Sequence, residues 1–319
     1  IPAAIALVLD RRRLNDLSAN IVKLAFYDSA EVIARQVLEL AGYGKGELDL
    51  EQIRSVYFVG AGGIGMSALV RYFLHRDCKV AGYDRTSSDL TSALISEGAF
   101  IHFDDNASMI PEYCRDPRQT LVVYTPAIPE TNAVLSWFRN NGFVIEKRAQ
   151  VLGTLTRSLD GLCVAGTHGK TTTSSMIAHI MNGTPDGCNA FLGGILKNCQ
   201  SNLMVSEKSS NVVIEADEFD RSFHHLRPLR TVVTAVDADH LDIYGDLEHV
   251  QESFRIYASQ VSDYLIIKLG LPISPDVTGA RIYTYHLNDK KADFYAENMQ
   301  IDEFGHYTYD LVSPFGRIN

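Results

Sequence analysis

Two glycine-rich turns, each placed between a buried strand and a helix, constrain the fold of this chain more than any other feature. The first is GAGGIG at residues 60–65, and the second is GTHGKTTT at residues 166–173. Each follows a short β-branched or aromatic run and precedes a helical pattern, which is the βαβ rhythm of a parallel sheet. Because roughly a hundred residues separate the turns, the sequence predicts an α/β protein with two nucleotide-sized domains in series.

Seven apolar runs are predicted as strands, because uninterrupted apolar character suits strands that are buried on both faces of a parallel sheet. They are residues 56–59, 79–83, 121–124, 162–165, 212–214, 231–236 and 264–267. Residues near the start of the chain instead show apolar side chains at helical spacing that stop at a glycine-rich stretch. The predicted domains are a helical extension with a linker at 1–50, a first α/β domain at 51–157 and a second at 158–319.

Composition excludes several classes of protein. The 319 residues carry 29 Lys and Arg against 39 Asp and Glu, a formal net charge of -10, which repels nucleic acid and anionic membranes. No apolar run reaches the ~20 residues that a membrane-spanning helix needs. Five cysteines without C-x-x-C spacing, and no predicted signal peptide, favour reduced thiols. We therefore expect a cytoplasmic protein with no nucleic-acid partner and no membrane span.

The first turn matches the G-x-G-x-x-G pattern of dinucleotide-binding proteins. Its backbone N–H groups can approach a pyrophosphate at the positive end of the helix that follows. Asp84 ends the next strand, 24 positions after Gly60, where a carboxylate can accept a hydrogen bond from a ribose hydroxyl. Spacing alone favours a dinucleotide such as NAD. The alternative is a tight turn that serves only the packing of the helix on the sheet.

The second turn departs from the usual P-loop, G-x-x-x-x-G-K-[ST], because Val164 stands where the first glycine would be. The remaining pattern keeps the parts that bind a nucleoside triphosphate: backbone N–H donors, a lysine for the β- and γ-phosphates and a hydroxyl for Mg²⁺. His168 either contacts a phosphate or is simply tolerated by the loop. The predicted ATP-binding residues are Gly166, Thr167, His168, Gly169, Lys170, Thr171 and Thr172.

Two further strands end in acidic residues. Glu215 follows the strand at 212–214, and His240 follows the strand at 231–236 within the run DADHLD. Open parallel sheets bind ligands at the carboxyl ends of their strands, so both ends are expected to converge on the phosphates. Each cluster alone is typical of solvated surface. Beside Lys170, however, the two clusters indicate Mg²⁺ binding and phosphoryl transfer.

Four ordered motifs give the chain its resemblance to the Mur ligase family: GAGGIGM, GTHGKTTT, EADEFD from Glu215 and DADHLDIYG from Asp237. The histidine of the second motif and the GxGGxGM opening are similar to the branch that joins L-alanine to UDP-N-acetylmuramate. The resemblance implies a Rossmann-like UDP-binding domain followed by a P-loop-type parallel-sheet ATPase domain, in a bacterial enzyme of peptidoglycan synthesis. The third domain of the family, which binds the amino acid, is expected to be absent.

The resemblance also implies a reaction and the residues that perform it. ATP would phosphorylate the lactyl carboxylate to an acyl phosphate, and L-alanine would attack it to give amide, ADP and phosphate. The catalytic residues would be Lys170, Glu215 and His240, with Thr171, Glu215 and His240 at the Mg²⁺ positions. Contacts to the sugar nucleotide would come from Gly60, Gly62, Gly63, Ile64, Gly65, Met66, Asp84, Thr125 and Pro126.

Several positions depart from the family pattern. Ala235 stands where Asn is common, Phe219 stands where Ser is common, and residues 241–267 contain no Lys to be carbamylated. Residues 1–46 show a short resemblance to the end of a MurG-type glycosyltransferase. Three alternatives remain open: a recycling ligase that attaches a whole tripeptide to the same sugar nucleotide, an NAD-dependent oxidoreductase, and a nucleotide-binding fragment without turnover.

Overall fold

The computed structural model describes residue 50 and residues 52–196, 201–273 and 279–318. From Gln52 onward, the described residues belong to one compact unit. The predicted helical extension and the MurG-type resemblance lie outside the described residues. Among the helices that are described, none is long and apolar enough to cross a membrane. The unit is α/β, as the glycine turns and the strand pattern predict.

The first sheet is parallel throughout, in the order β3-β2-β1-β4-β5. Its strands are β1 Ser55–Val59, β2 Lys79–Tyr83, β3 Phe100–His102, β4 Thr120–Tyr124 and β5 Val144–Lys147. Its helices are α1 Ile64–His75, α2 Asp89–Ser96, α3 Ala133–Asn140 and α4 Arg148–Ser158. The strand order reverses between β1 and β4, so their carboxyl ends form the crevice where such sheets bind ligands.

The second sheet runs in the order β15-β14-β13-β12-β11-β10-β6-β9-β7-β8. Its strands are β6 Asp160–Ala165, β7 Asn189–Leu196, β8 Ser201–Met204, β9 Asn211–Glu215, β10 Arg230–Val233, β11 Tyr264–Lys268, β12 Arg281–His286, β13 Phe294–Ile301, β14 Tyr307–Ser313 and β15 Gly316–Ile318. Its helices are α5 Lys170–Asn182, α6 Leu241–Tyr244 and α7 Leu247–Ala258, with a 3₁₀ segment at Phe219–His225. The order reverses between β6 and β10, which creates a second crevice.

Apolar packing fixes the carboxyl ends of these strands. Every residue of β1 is buried, as expected for a central strand covered on both faces. The ring of Phe138 lies 4.8 Å from those of Tyr57 and Phe143, centroid to centroid. Burial of a side chain of this size stabilises a fold by ~1.5–3 kcal/mol. The crevice beside β1 and β4 is therefore built on a rigid core.

All seven predicted strands are present, but one of them ends early. The predicted strand at 231–236 ends at Val233, because the Thr234 side chain turns toward the second glycine turn. Its hydroxyl donates to the backbone oxygen of His168 and also lies within hydrogen-bond distance of the backbone oxygen of Ala165. Strands β3, β5, β7, β8 and β12–β15 were not predicted. The domain boundary at 157/158 stays a prediction, since the two sheets lie within one compact unit.

A buried amide joins the first helix to the second sheet. Asn202 of β8 is completely buried, and its Nδ2 donates to the backbone oxygen of Ile64 and to Ser67 Oγ, both on α1. Arg71 Nη1 of α1 donates to Asn202 Oδ1 at 2.9 Å. Because a buried amide is costly without partners, these bonds tie the start of α1 to the sheet that carries the second turn.

Candidate nucleotide and metal site

The first glycine turn is held open by backbone hydrogen bonds and by one carboxylate. Gly60 has φ +92° and donates its N–H to the Tyr83 carbonyl at 2.7 Å. The N–H of Gly62 donates to Asp84 Oδ2 at 2.6 Å, and Asp84 Oδ1 accepts the N–H of Thr86. In this arrangement Asp84 braces the turn. A role of its carboxylate toward a ribose stays a prediction.

The helices that follow the two turns begin without a capping side chain. Neither α1, which starts after Gly63, nor α5, which starts after Gly169, has a side-chain cap or an acidic residue in its first turn. By contrast, α2, α3 and α7 are capped by Ser88, Asn132 and Asp246. An uncapped amino terminus leaves N–H donors and a partial positive charge for an anion. Both turns are therefore suited to phosphate.

Arg148 packs directly on the first turn. It begins α4 after the end of β5, and its guanidinium fills the space where a Cβ of residue 65 would lie. The Asp217 carboxylate lies 3.9 Å from this guanidinium, and among the described residues the guanidinium makes no hydrogen bond. A guanidinium at the positive end of a helix is unfavourable unless an anion lies nearby. The sequence-based prediction missed Arg148, because its proximity to Gly65 depends on the pairing of β4 with β5.

The second glycine turn is packed against the residues that follow β10. Gly166 has φ +138°, and a Cβ there would overlap the Thr234 hydroxyl. The N–H of Thr167 donates to the Ala235 carbonyl at 3.1 Å, so Ala235 supports the loop through its backbone. In turn, Thr167 Oγ1 accepts the N–H of Asp237 at 3.2 Å. The turn and the DADHLD run thus form one structure, as their place beside a switch point predicts.

Lys170 lies between the turn and a buried carboxylate. Its Nζ donates to the Gly166 carbonyl at 2.7 Å and lies 2.8 Å from both oxygens of Glu218. Only 1% of the Glu218 side chain is exposed, and the Tyr244 hydroxyl donates to its backbone oxygen at 2.5 Å. Burial raises the pKa of the Glu218 carboxyl, and the Lys170 ammonium opposes that shift.

Thr171 and Glu215 form a second polar pair. Thr171 Oγ1 donates to Glu215 Oε1 at 2.8 Å, and the N–H of Gly193 donates to Glu215 Oε2 at 2.9 Å. Carboxylate and hydroxyl oxygens are the donors that Mg²⁺ prefers. The structure therefore brings together two of the three residues predicted to bind the metal, at the carboxyl end of β9.

The third predicted metal residue, His240, belongs to a separate group. Its Nε2 lies 3.8 Å from Glu218 Oε1 and 3.9 Å from Asp239 Oδ2, and the ligand atoms of these three residues all lie within 4.8 Å of one another. The Phe219 ring packs edge-on against His240 with centroids 5.3 Å apart. Phe219, which departs from the family pattern, thus supports the histidine. Lys170 lies beside this group because it binds Glu218, whereas the neighbouring Thr171 donates its hydroxyl to Glu215.

The remaining predicted residues line the two crevices to different degrees. Thr125 follows β4 and lies against Gly60, where a Cβ would come 2.9 Å from its methyl group. Met66 is buried beneath the first turn, whereas Ile64 is partly exposed. His168 is exposed, and its Nε2 lies 3.8 Å from the carboxylate of Asp237. Direct contacts of these residues with a ligand stay predictions.

Comparison with known families accounts for both crevices. A model described as the Mur ligase family catalytic domain matches residues 55–159, and one described as the Mur ligase middle domain matches residues 164–318. The chain belongs to the Mur ligase family. The first Mur model spans the sheet that carries Gly60, and the second spans the sheet that carries Lys170.

Two curated relatives of this Mur ligase chain share a name and a degree of identity. UDP-N-acetylmuramate--L-alanine ligases from Phocaeicola vulgatus and Parabacteroides distasonis are each 55% identical over 274 residues, which is 85% of this chain and 59% of theirs. This chain thus spans somewhat more than half the length of the curated relatives it matches.

Solved Mur ligase structures share the fold. A UDP-N-acetylmuramate-alanine ligase from Thermotoga maritima has a TM-score of 0.69 at 25% identity, covering 83% of this chain and 59% of that one. A UDP-N-acetylmuramate:L-alanyl-gamma-D-glutamyl-meso-diaminopimelate ligase from Neisseria meningitides has a TM-score of 0.71 at 21% identity, covering 83% and 86%. At that identity the second likeness concerns the fold alone.

Proposed function

We propose that this chain belongs to an ATP-dependent ligase that joins the lactyl carboxylate of UDP-N-acetylmuramate to L-alanine. The observation that carries the proposal is the grouping of Lys170, Thr171 and Glu215 at the second switch point. The 55% identity with curated ligases of that name supports the choice of substrates. ATP, Mg²⁺ and the two substrates are part of the proposal.

The sugar nucleotide is assigned to the first crevice. Its diphosphate would lie on the uncapped amino terminus of α1, where four of the six residues at 60–65 are glycines that let the backbone N–H groups approach an anion. The uridine would lie on the side of Asp84, and the strand end at Thr125 and Pro126 would flank the base. Asp84 would then act mainly through the shape of the turn, since both of its oxygens accept backbone N–H groups.

ATP is assigned to the second crevice. Its phosphates would lie on the uncapped amino terminus of α5, with Lys170 neutralising β- and γ-phosphate oxygens. A carboxylate oxygen of the sugar substrate would attack the γ-phosphorus, and ADP would leave. The ammonium offsets the repulsion between two anions, which is the main obstacle to this step. Positioning and charge neutralisation are thus the contributions of this chain.

The donor sets of the second crevice fit divalent cations. Thr171 and Glu215 provide one set, and His240 with Glu218 and Asp239 provides another of oxygen and imidazole ligands. Bound Mg²⁺ would add positive charge at the transferring phosphoryl group. Thr171, Glu215 and His240 are the residues we propose as ligands.

In the second half of the reaction the L-alanine amine would attack the acyl carbon. The C–N bond forms, the C–O bond to phosphate breaks, and the amine loses a proton. The resemblance to the family implies that the amino acid is bound by a third domain. Within the described residues we assign no general base to this step.

The proposal is tested by calorimetric titration of this chain with UDP-N-acetylmuramate and, separately, with NADH, each with and without Mg²⁺ and a non-hydrolysable ATP analogue. Binding of the UDP-sugar without binding of NADH is the expected result. Binding of NADH alone would overturn the ligase assignment in favour of an oxidoreductase. The titration requires no turnover, so it also applies if this chain is a binding fragment.

The recycling ligase binds the same sugar nucleotide, so a product assay is needed to separate it. A protein of the full length of the curated relatives, containing this sequence, is incubated with ATP, UDP-N-acetylmuramate and either L-alanine or the tripeptide L-alanyl-γ-D-glutamyl-meso-diaminopimelate. We expect product with L-alanine. Product with the tripeptide alone would favour the recycling reaction.

A further inference from the structure

The Glu218 carboxylate is buried, and the Lys170 ammonium balances its negative charge. Only 1% of its side chain is exposed, and the Lys170 ammonium lies 2.8 Å from both carboxylate oxygens. Oε1 accepts a hydrogen bond from Lys170, whereas Oε2 is buried and has no hydrogen bond of acceptable geometry within the described residues. A buried carboxylate whose cation is removed is strongly destabilising. In this arrangement Lys170 is the counterion of Glu218.

The proposed reaction gives Lys170 a second anionic partner. An ammonium has three donors on one compact charge. One already binds the Gly166 carbonyl at 2.7 Å and another binds Glu218. When phosphate arrives at the turn, the ammonium is drawn toward it and its attraction for Glu218 weakens. The buried carboxylate would then lack full compensation.

A metal ion beside Glu218 can supply the missing charge. Asp239 and His240 come from the loop after β10, and their ligand atoms lie within 4.8 Å of those of Glu218. Two carboxylates and an imidazole form a donor set suited to Mn²⁺ or Mg²⁺. The buried Oε2 of Glu218, which accepts no hydrogen bond within the described residues, is one ligand atom available to such an ion.

We propose that Glu218 is a counterion shared by Lys170 and a divalent cation, which binds Glu218, Asp239 and His240 when Lys170 moves to phosphate. In the absence of nucleotide, Lys170 weakens the metal site by occupying Glu218. Metal and nucleotide therefore bind cooperatively. The nucleotide draws Lys170 away from Glu218 and so frees a metal ligand, and the metal balances the charge of Glu218 that Lys170 leaves behind. The inference rests on the proposed ATP site and adds Glu218 and Asp239 to its residues.

The test uses the metal alone, so it can fail while the ligase proposal stands. Mn²⁺ binding is measured by electron paramagnetic resonance for the wild-type chain, Lys170→Met, and the double variant Lys170→Met/Glu218→Gln. We expect Lys170→Met to bind Mn²⁺ at least ~10-fold more tightly than wild type, and the double variant to lose that gain. Asp116→Asn is the control for a lost carboxylate, since Asp116 pairs with the exposed Arg118 and lies outside the ligand group, and it should leave the Mn²⁺ affinity unchanged.

Two outcomes would overturn the inference: equal affinity of folded Lys170→Met and wild type, or tight binding that survives Glu218→Gln. If Lys170→Met does not fold, the decision falls to wild type and Glu218→Gln, each titrated with Mn²⁺ with and without ADP. ADP is expected to increase the Mn²⁺ affinity, and the factor of increase should be at least ~10-fold larger in wild type than in Glu218→Gln. Equal increases would reject a shared counterion.

Discussion

The two glycine turns share a backbone design and differ in the charged groups that surround them. Both follow a central strand, lie at a switch point and open an uncapped helix. The first turn is braced by Asp84 and carries Arg148 on its surface, whereas the second holds Lys170 against Glu218 and places Thr171 on Glu215. On the proposed assignment of substrates, the geometry of the first turn and one nearby cation are enough to hold a diphosphate. Phosphoryl transfer requires, in addition, carboxylates and cations delivered by neighbouring strand ends.

The largest expected difference between the turns is their tolerance of a side chain. Alanine at Gly166 would be strained at φ +138° and would overlap the Thr234 hydroxyl, so Gly166→Ala should lower the free energy of unfolding by about 3–4 kcal/mol. In Gly60→Ala the new Cβ would meet the methyl group of Thr125 at 2.9 Å and Ile128 Cδ1 at 3.3 Å. Both are the ends of apolar side chains, so the variant should cost about 1–2 kcal/mol. Urea unfolding of both variants measures the difference.

Gly142→Ala is the control for backbone strain. Gly142 has φ +74° but no atom within 4 Å of its Cβ position, so the variant should lose about 1 kcal/mol. A loss at Gly166 no greater than at Gly142 would show that Thr234 moves aside easily, and the packing argument would fail.

The next largest effect separates the turns by ligand. Lys170→Ala removes the cation from the second turn alone, so the affinity for a non-hydrolysable ATP analogue with Mg²⁺ should fall by about 2 kcal/mol, roughly 30-fold. The affinity for UDP-N-acetylmuramate should stay within about twofold. Titration of the same preparation with each ligand measures how far the two affinities change relative to wild type. Retained binding of the sugar nucleotide also shows that the variant is folded. Parallel loss of both affinities would contradict the separation of the sites.

A smaller effect is expected at the first turn. Arg148 lies on Gly65 without a hydrogen bond to the described residues, so Arg148→Gln should weaken UDP binding by about 1.4 kcal/mol, roughly tenfold. UDP is titrated calorimetrically, with uridine as a ligand that lacks the diphosphate. Arg118→Gln provides a matched control, because Arg118 is exposed and pairs with Asp116. Equal loss of uridine and UDP affinity would argue against a diphosphate contact.

The smallest expected effect is a pH dependence that the two sheets share. Burial lowers the pKa of His102 in β3 and the pKa of His224 in the 3₁₀ segment that follows β9. Below pH ~6.5, the pKa of histidine in an unfolded chain, these two side chains bind protons in the unfolded state but not in the folded state. Stability is therefore full above that pH and declines as the pH falls below it. Urea unfolding between pH 8 and 5.5 should show a shallower decline for His102→Gln than for wild type, and identical declines would exclude His102 as a source.

The features that the sequence predicts well are local ones. The glycine turns, the strands before them and Lys170 can be identified because turn chemistry, burial pattern and function coincide within a dozen or so residues. The order of the motifs along the chain then indicates the family. The end of the strand at 231–236 was placed too late, because Thr234 leaves the sheet to bind loop carbonyls some seventy positions away.

Features that depend on pairing between distant strands could not be predicted. Gly193 binds Glu215 only because β7 pairs with β9, although the Gly-Gly pair inside β7 was a signal of close approach. Arg148 reaches Gly65 through the pairing of β5. Glu218 was one acidic residue among several in EADEFD, and its burial against Lys170 distinguishes it only in three dimensions.

The hydrogen bonds of Asn202 to α1 bear on the distance between the two proposed phosphate sites. Its amide binds the backbone oxygen of Ile64, the first residue of α1, and it projects from the sheet that carries Lys170. These buried hydrogen bonds hold the start of α1 against β8, and so they constrain the distance between the proposed diphosphate site and the proposed γ-phosphate site. On the proposed assignment of substrates, a sugar nucleotide is accepted for its length. Analogues whose carboxylate stands one bond nearer to the sugar or farther from it would bind by the diphosphate and yet fall short of, or overshoot, the phosphorus they must reach.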